Sequence, residues 1–449
     1  MKRAWRWPFA GFVVGALVGA TILTVNVVGA SSPERPVSAV RSFGEILHTP
    51  VLLARGGSPV ALKYDFVCAV PRHEPGGGCS PQGSVFVRPA GESEFAEVPL
   101  RRDESGMLTA TVNTPEAGQG FDYYAEIDNG RGEAARLPAG ATRAPHHVWP
   151  LETPTQVALG AEPFGSTRAP DSIAATFAWG RGAQALGLDS GREQARIGPS
   201  AFDVAPDGSI VVLDQVNRRL TVVRPGERPR QMPIQFTGGE GDLAVGGDGK
   251  IYVLDAALPP LVRSFTAGGY PLAGTRLAEA TADMVRAGPD GPLVHAYPSE
   301  MWLPTGAGRP PLSSSEQLAA AEPARRVEGG ASVVVRASPA ELEVALVRAD
   351  RVAHAWVVRG ATSFGEVQMA EPFGNGLLVV VRLWTERQAQ FRVLRLTAEG
   401  LAESFAVDRA EWAETASLSR FRLHGSTLYQ LRSTPSGAEI ATFEIGGKP

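Results

Sequence analysis

AFDVAPDGSIVVLDQVNRRLTVV, residues 201–223, is the stretch whose reading decides the fold. Two β-rich runs flank a polar knot, Asp214-Gln215-Val216-Asn217-Arg218-Arg219. Such a knot is a reaction centre, a grip on a ligand, or a turn that satisfies its own backbone. The turn reading has a physical basis. Asp side chains accept from nearby N–H groups, Asn tolerates left-handed backbone angles, and Arg219 can pair with a carboxylate in the same turn. Asp214 and Asn217 are therefore assigned as structural turn residues. Because loops carry function, Arg218 and Arg219 are the candidate ligand contacts.

The pattern recurs. DLAVGGDGKIYVLDAALPPLVRSF (242–265) and DMVRAGPDGPLVHAYPSEMWLP (283–304) repeat strand, Asp-Gly turn, strand, polar knot and strand. The turns begin at Asp207, Asp248 and Asp290, so the spacings are 41 (248 − 207) and 42 (290 − 248). Asp-Gly suits a two-residue hairpin turn, because Gly accepts φ > 0. A period of about 40–45 residues with several strands per unit is the signature of a β-propeller blade. Fainter copies turn near Pro339, at Asn375-Gly376 and at Gly425, which makes six units. The run IAATFAWG (173–180) precedes the first unit and is expected to supply a strand that closes the ring with the last. Closure removes exposed sheet edges.

The first unit resembles an NHL repeat, with Asp214, Asn217 and Arg219 on that family's Asp, Asn and Arg positions. The second unit keeps Asp255 and Arg263 but lacks the Asn, and the others are degenerate. The resemblance implies a propeller of about six blades that binds protein, RNA or small ligands, with a minority of enzymes in the group.

Upstream, residues 46–147 alternate apolar and polar with period two, as at Val60, Leu62, Tyr64, Phe66, Cys68 and Val70, and again at Phe121, Tyr123, Ala125 and Ile127. This reads as half-buried antiparallel strands, on the scale of one small β-sandwich. The segment resembles the immunoglobulin-like or fibronectin type III-like modules of exported bacterial proteins. Residues 148–172 are rich in Pro, Thr and small residues and read as a linker to a propeller over 173–449. The expected fold class is all-β: a six-bladed β-propeller preceded by a small β-sandwich and an N-terminal hydrophobic helix.

That helix occupies residues 1–30. Lys2, Arg3 and Arg6 precede an apolar run from Pro8 to Ala30. The run reads either as a signal peptide cut after Ala30 or as an uncleaved anchor, being about 20 residues long. Either way the bulk of the chain is expected outside the cytoplasm, tied to the membrane through a linker at 31–45 or secreted. Cys68 and Cys79 are the two cysteines. In an exported chain such a close pair reads as a disulfide, with about 3 kcal/mol of stabilisation in the chain-entropy model.

The chemistry is sparse. A net charge of −4 with 20% charged residues gives no basic stripe, so no nucleic-acid partner is expected. H-E-x-x-H, G-x-S-x-G and G-x-x-x-x-G-K-[ST] are all absent. Gly180-Arg181-Gly182 reads as a loop, and His146-His147 as linker residues pointing apart. Asp203, Asp242 and Asp283 fall in the expected inner strands of three blades, and Glu366 in a fifth. Carboxylates converging on a channel would suit Ca2+, with Asp242 and Asp283 as the metal candidates. Against a shared site, they stand four, six and seven residues before their turns. The sequence therefore favours a non-catalytic binding protein of the cell envelope, without a cofactor. Its propeller would meet an envelope protein or polysaccharide. The alternative is a metal-dependent propeller hydrolase or lyase.

Overall fold

Period-two alternation becomes sheet as its spacing dictates. In the strand Pro59–Val67, Val60, Leu62 and Tyr64 are buried while Ala61, Lys63 and Asp65 face water. The computed structural model describes residues 45–67, 80–115, 119–130, 132–160, 164–191, 195–237, 241–279, 281–297, 299–306, 312–327, 329–413 and 419–446. The N-terminal apolar run, Cys68 and Cys79 lie outside the described residues. Among the described residues no helix is long and apolar enough to cross a membrane.

Residues 45–150 form two sheets. One holds Glu45–Leu47, Pro59–Val67, Leu108–Asn113 and Arg101–Arg102. The other is built on Phe121–Asp128, with Gln82–Pro89 on one side and His146–Pro150 on the other. Both contribute to one core: Leu62, Tyr64, Ala110 and Val112 from the first, Val85, Phe121, Tyr123 and Ile127 from the second.

The rest is a β-propeller of six sheets. Blade one is Ala201–Val204, Ile210–Asp214, Arg219–Val223 and Arg230–Pro233; blade two is Gly241–Val245, Ile251–Asp255, Leu261–Phe265 and Pro271–Arg276. Blade three has three strands, Thr281–Gly288, Gly291–Tyr297 and Met301–Pro304. Blade four runs Ala331–Ala337, Glu341–Arg348, Arg351–Arg359; blade five Ser363–Phe373, Gly376–Trp384, Ala389–Thr397, Gly400–Val407; blade six Phe421–His424, Thr427–Thr434, Gly437–Glu444. The inner hairpins turn where the repeats place them. The strand Ser172–Trp179 pairs antiparallel with Gly437–Glu444 and completes blade six.

Three details differ from the sequence reading. Residues 148–172 are not a free linker: His146–Pro150 is a strand, and Thr155–Ala158 pairs in parallel with Arg351–Arg359 as the outer strand of blade four. The first two Asp-Gly turns are not two-residue hairpins. Gly208 N–H bonds Ala205 C=O and Gly249 N–H bonds Gly246 C=O, with both glycines left-handed at φ 79° and 77°. This is a type I turn closed by a glycine bulge. Finally, a short helix, Ser314–Ala319, interrupts the strands after blade three. Its capping box, Ser313 with Glu316, was present in the sequence.

Neighbouring blades are joined by apolar clusters. Val211, Leu213 and Leu243 join blades one and two; Leu254, Val285 and Val294 join two and three. Val344, Leu377 and Val379 join four and five, Val380, Phe391 and Phe421 join five and six, and Phe202, Val212 and Ile440 join six and one. Each fully buried aliphatic side chain contributes about 1.5–3 kcal/mol. Blades three and four are the exception. The face of blade four carrying Val334, Ala345 and Val347 packs on Leu53, Trp149 and Leu151 of the N-terminal segment.

Candidate functional site

The polar knot is a latch. The Asp214 carboxylate accepts the Gly187 and Asn217 N–H groups at 3.0 and 3.2 Å, the Asn217 amide at 2.8 Å and Arg219 Nε at 2.9 Å. Arg219 spends its other donors on the carbonyls of Arg181, Gly182 and Ala185. Asn217 also donates to Gly180 C=O. The Gly180-Arg181-Gly182 stretch is therefore the receptor of the latch, which fastens the chain leaving the ring-closing strand to blade one. Asp214 and Asn217 flank the turn, whose left-handed residue is Arg218, at φ 52°. Arg219, the other candidate ligand contact, is buried and gives four hydrogen bonds within the latch. Arg218 is exposed on the turn. In blade two, Asp255 plays a similar part, accepting the N–H and hydroxyl of Thr237 on the chain entering that blade.

Gly187 leaves no room for a side chain. A Cβ there would stand 2.5 Å from Val216 Cβ and 2.8 Å from Asp214 Oδ1. Gly187→Ala is expected to lower stability by about 1–3 kcal/mol through overpacking, seen as a lower urea midpoint; an unchanged midpoint would mean the latch yields freely.

The inner-strand aspartates stitch blades together. Asp203 accepts its neighbour's N–H from Val204 and, across the gap, the Val245 N–H of blade two at 2.7 Å. Asp242 repeats this with Leu243 and with Val285 of blade three, both at 2.8 Å. Their registers, four and six residues before the turn, differ by two, which leaves a strand side chain on the same face. Asp242 is fully buried and also takes Arg286 at 2.6 Å, Arg422 at 3.2 Å and the Ser419 hydroxyl at 2.5 Å. Burial opposes its ionisation, but Arg286, Arg422, the Ser419 hydroxyl and the Val285 N–H hold its carboxyl below the usual range. Asp203 is pushed up by burial, against the pull of Arg422.

The metal candidates Asp242 and Asp283 both have partners within the protein. Asp242 has its oxygens filled by cations and donors. Asp283 sits in a bulge between Ala282 and Met284 and bonds His295 at 2.8 Å. Glu366 is exposed beside a second bulge. Among the described residues no three His, Cys, Asp or Glu side chains are grouped to hold a metal ion.

The sequence missed a cavity of about 260 Å3 at the junction of blades three and four. Arg286, His295, Glu300 and Trp302 form one wall, and Arg325, Val335, Arg336, Gln368 and Glu371 the other. Thr49, Pro50 and Leu52 of the N-terminal segment line it too. Each cation of the wall has a carboxylate: Arg286 with Asp242, Arg325 with Glu371 at 2.8 Å, Arg336 with Glu343 at 3.2 Å. His295 lies between Asp283 and Glu300, at 2.8 and 3.2 Å. Burial works against its charge, but the two carboxylates outweigh it and push its pKa up to about 10. The two carboxylates thus favour its charged form. Gln368 is 3% exposed and its Oε1 has no partner among the described residues. Turn signals could not reveal this cavity, because it is assembled from four blades and the N-terminal segment.

No protein-family model matches the chain, and no curated relative matches it. Solved structures similar to it include the Kuenenia stuttgartiensis hydrazine synthase, 13% identical over 55% of this chain and 80% of that one, TM-score 0.36. Virginiamycin B lyase from Staphylococcus aureus is 10% identical over 55% and 95%, TM-score 0.35. A PQQ-bound aldose sugar dehydrogenase from Streptomyces coelicolor is 12% identical over 62% and 99%, TM-score 0.32. The propeller architecture rests on the pairing and order of the chain's own sheets.

Proposed function

We propose that the chain is a non-catalytic, extracytoplasmic binding protein of the cell envelope, which holds an uncharged unit of a polysaccharide in the cavity between blades three and four. The observation that supports it is the state of the wall. Its charges are already matched in pairs, and two carboxylates favour the charged form of its one imidazole. A charged ligand gains little there. The Gln368 Oε1, an acceptor with no partner among the described residues, in a cavity that Val335 and Trp302 also line, suits a hydroxyl- or amide-bearing sugar. Export is supported by Lys2, Arg3 and Arg6 ahead of the apolar run to Ala30. The knot of Asp214, Asn217 and Arg219 favours placing the propeller with the NHL group, and the two-sheet segment with immunoglobulin- or fibronectin type III-like modules.

Calorimetric titration of the full-length protein with neutral envelope oligosaccharides at pH 7.5 tests this. Binding is expected, weakened about tenfold by Gln368→Leu, the loss of one ligand hydrogen bond. Turnover of lactones, esters or glycosides, or equal affinity in the variant, would overturn the proposal.

A further inference from the structure

The loop Thr49 to Leu52, which lines the cavity, follows the buried His48, and a second buried imidazole, His146, lies beside that ring. The His48 ring stacks on Tyr64, with centroids 4.1 Å apart. Its Nδ1 lies 2.7 Å from the Lys63 carbonyl and therefore carries the proton. Its Nε2, 3.0 Å from the Tyr123 hydroxyl, is then the acceptor. The same hydroxyl oxygen accepts the Val51 N–H at 3.0 Å. One hydroxyl thus ties the imidazole to the loop. His146 lies beside His48, with ring centroids 5.7 Å apart. It is fully buried, and neither of its nitrogens has a partner among the described residues. Its strand grips the far end of the loop: Trp149 N–H donates to Leu52 C=O and Leu151 N–H to Ala54 C=O. The titratable groups facing the pair are Tyr64, Tyr123 and the two rings themselves.

We infer that His48 and His146 form an acid-operated latch, so that their protonation frees residues 49–52 and opens the cavity of the propeller. This rests on the cavity being the ligand site proposed above. A proton on His48 Nε2 removes the acceptor that the Tyr123 hydroxyl uses and places a charge in an apolar core. Either ring escapes that penalty by reaching water, and the loop must move for it to do so.

The sign follows from burial. Desolvation lowers the His48 pKa from 6.5 to about 4, against the opposing Lys63 carbonyl bond. His146 is lowered by burial and by the neighbouring His48. The closed form binds protons less well than an open one, so closure is complete above pH 6.5 and is lost as pH falls toward 4. Between pH 7.5 and 5, His48 alone shifts the open-to-closed ratio by about 30-fold, and His146 adds in the same direction.

Hydrogen exchange of the full-length protein, corrected for the intrinsic effect of pH, reads this without any ligand. Residues 49–54 are expected to lose protection by about 30-fold or more between pH 7.5 and 5, while the blade-five strand Gly376–Trp384 holds. Equal protection at both pH values, or an equal loss in both segments, would overturn the inference. Tyr123→Phe is expected to expose the Val51 amide already at pH 7.5; retained protection would also overturn it. His146→Leu removes one titrating ring without breaking a hydrogen bond and is expected to shrink the acid response. The sugar titration at pH 7.5 is independent: no binding with the acid response intact removes the ligand and leaves the latch.

Discussion

A protein carrying Asp242→Ala is expected to lose about 3–5 kcal/mol of stability, the cost of breaking a buried ion pair from one side. Asp242 is fully buried and links three blades: its own, blade three through Arg286 and Val285, and blade six through Arg422 and Ser419. Without it, the buried Arg286 and Arg422 both lose a carboxylate, and Arg422 keeps the more distant Asp203 at 3.6 Å. Urea unfolding measures the loss. Asp242→Leu combined with Arg286→Met and Arg422→Met is expected to recover most of it, because apolar replacements leave no desolvated charge. A loss under about 1 kcal/mol in Asp242→Ala would mean that water fills the channel and solvates the arginines. The pH dependence separates this network from the histidines. The Asp242 carboxyl lies below its ordinary 3.8. Its contribution is therefore full above 3.8 and lost only as pH falls below it. The histidine effect is spent between 6.5 and 4.

Asp214→Ala is expected to cost a similar 3–5 kcal/mol, again by orphaning a buried guanidinium. Four donors converge on this carboxylate; one of them, Gly187 N–H, belongs to the segment that follows the closing strand, and another, Arg219, grips that segment's carbonyls with its remaining N–H groups. Limited proteolysis adds a local readout. Cleavage between residues 180 and 200 is expected to accelerate in the variant while the blade-five strands stay resistant. Asp214→Asn keeps an acceptor oxygen for the Gly187 and Asn217 N–H groups, and loses the charge and the second acceptor that face the Asn217 amide and Arg219 Nε. Its cost is expected at about 1–2 kcal/mol. Equal costs for both variants would place the whole effect in the ion pair.

What could be read from the sequence was what is local. Asp207-Gly208, Asp248-Gly249 and Asp290-Gly291 mark turns because side-chain and glycine chemistry act within a few residues. The latch was readable for the same reason: Asp214, Asn217 and Arg219 span six positions. Thr155–Ala158 was not, since four residues amid prolines carry no visible period until Arg351–Arg359 lies beside them. Nor was the Asp242 network, whose arginines come from positions 286 and 422. The register argument against Asp203 and Asp242 failed for a specific reason. It treated an offset of two as a mismatch, whereas a strand repeats its face at that interval. His146 read as a linker residue, because its burial depends on strands that its own neighbours in sequence do not reveal.

The two strands that precede blade one also set the order of assembly. The partners of Ser172–Trp179 lie about 270 residues downstream, as the Thr442 to Ser172 bond spans 270, and those of Thr155–Ala158 about 200, as the Arg359 to Gln156 bond spans 203. Both strands must wait, unpaired, through most of the chain's synthesis. Loop-closure entropy makes such distant pairings slow, and an unpaired strand edge is a template for association with another chain. A chain truncated before Gly437 would leave the edge of Ser172–Trp179 without its partner. Such a truncation is therefore an aggregation hazard far out of proportion to the few residues it lacks.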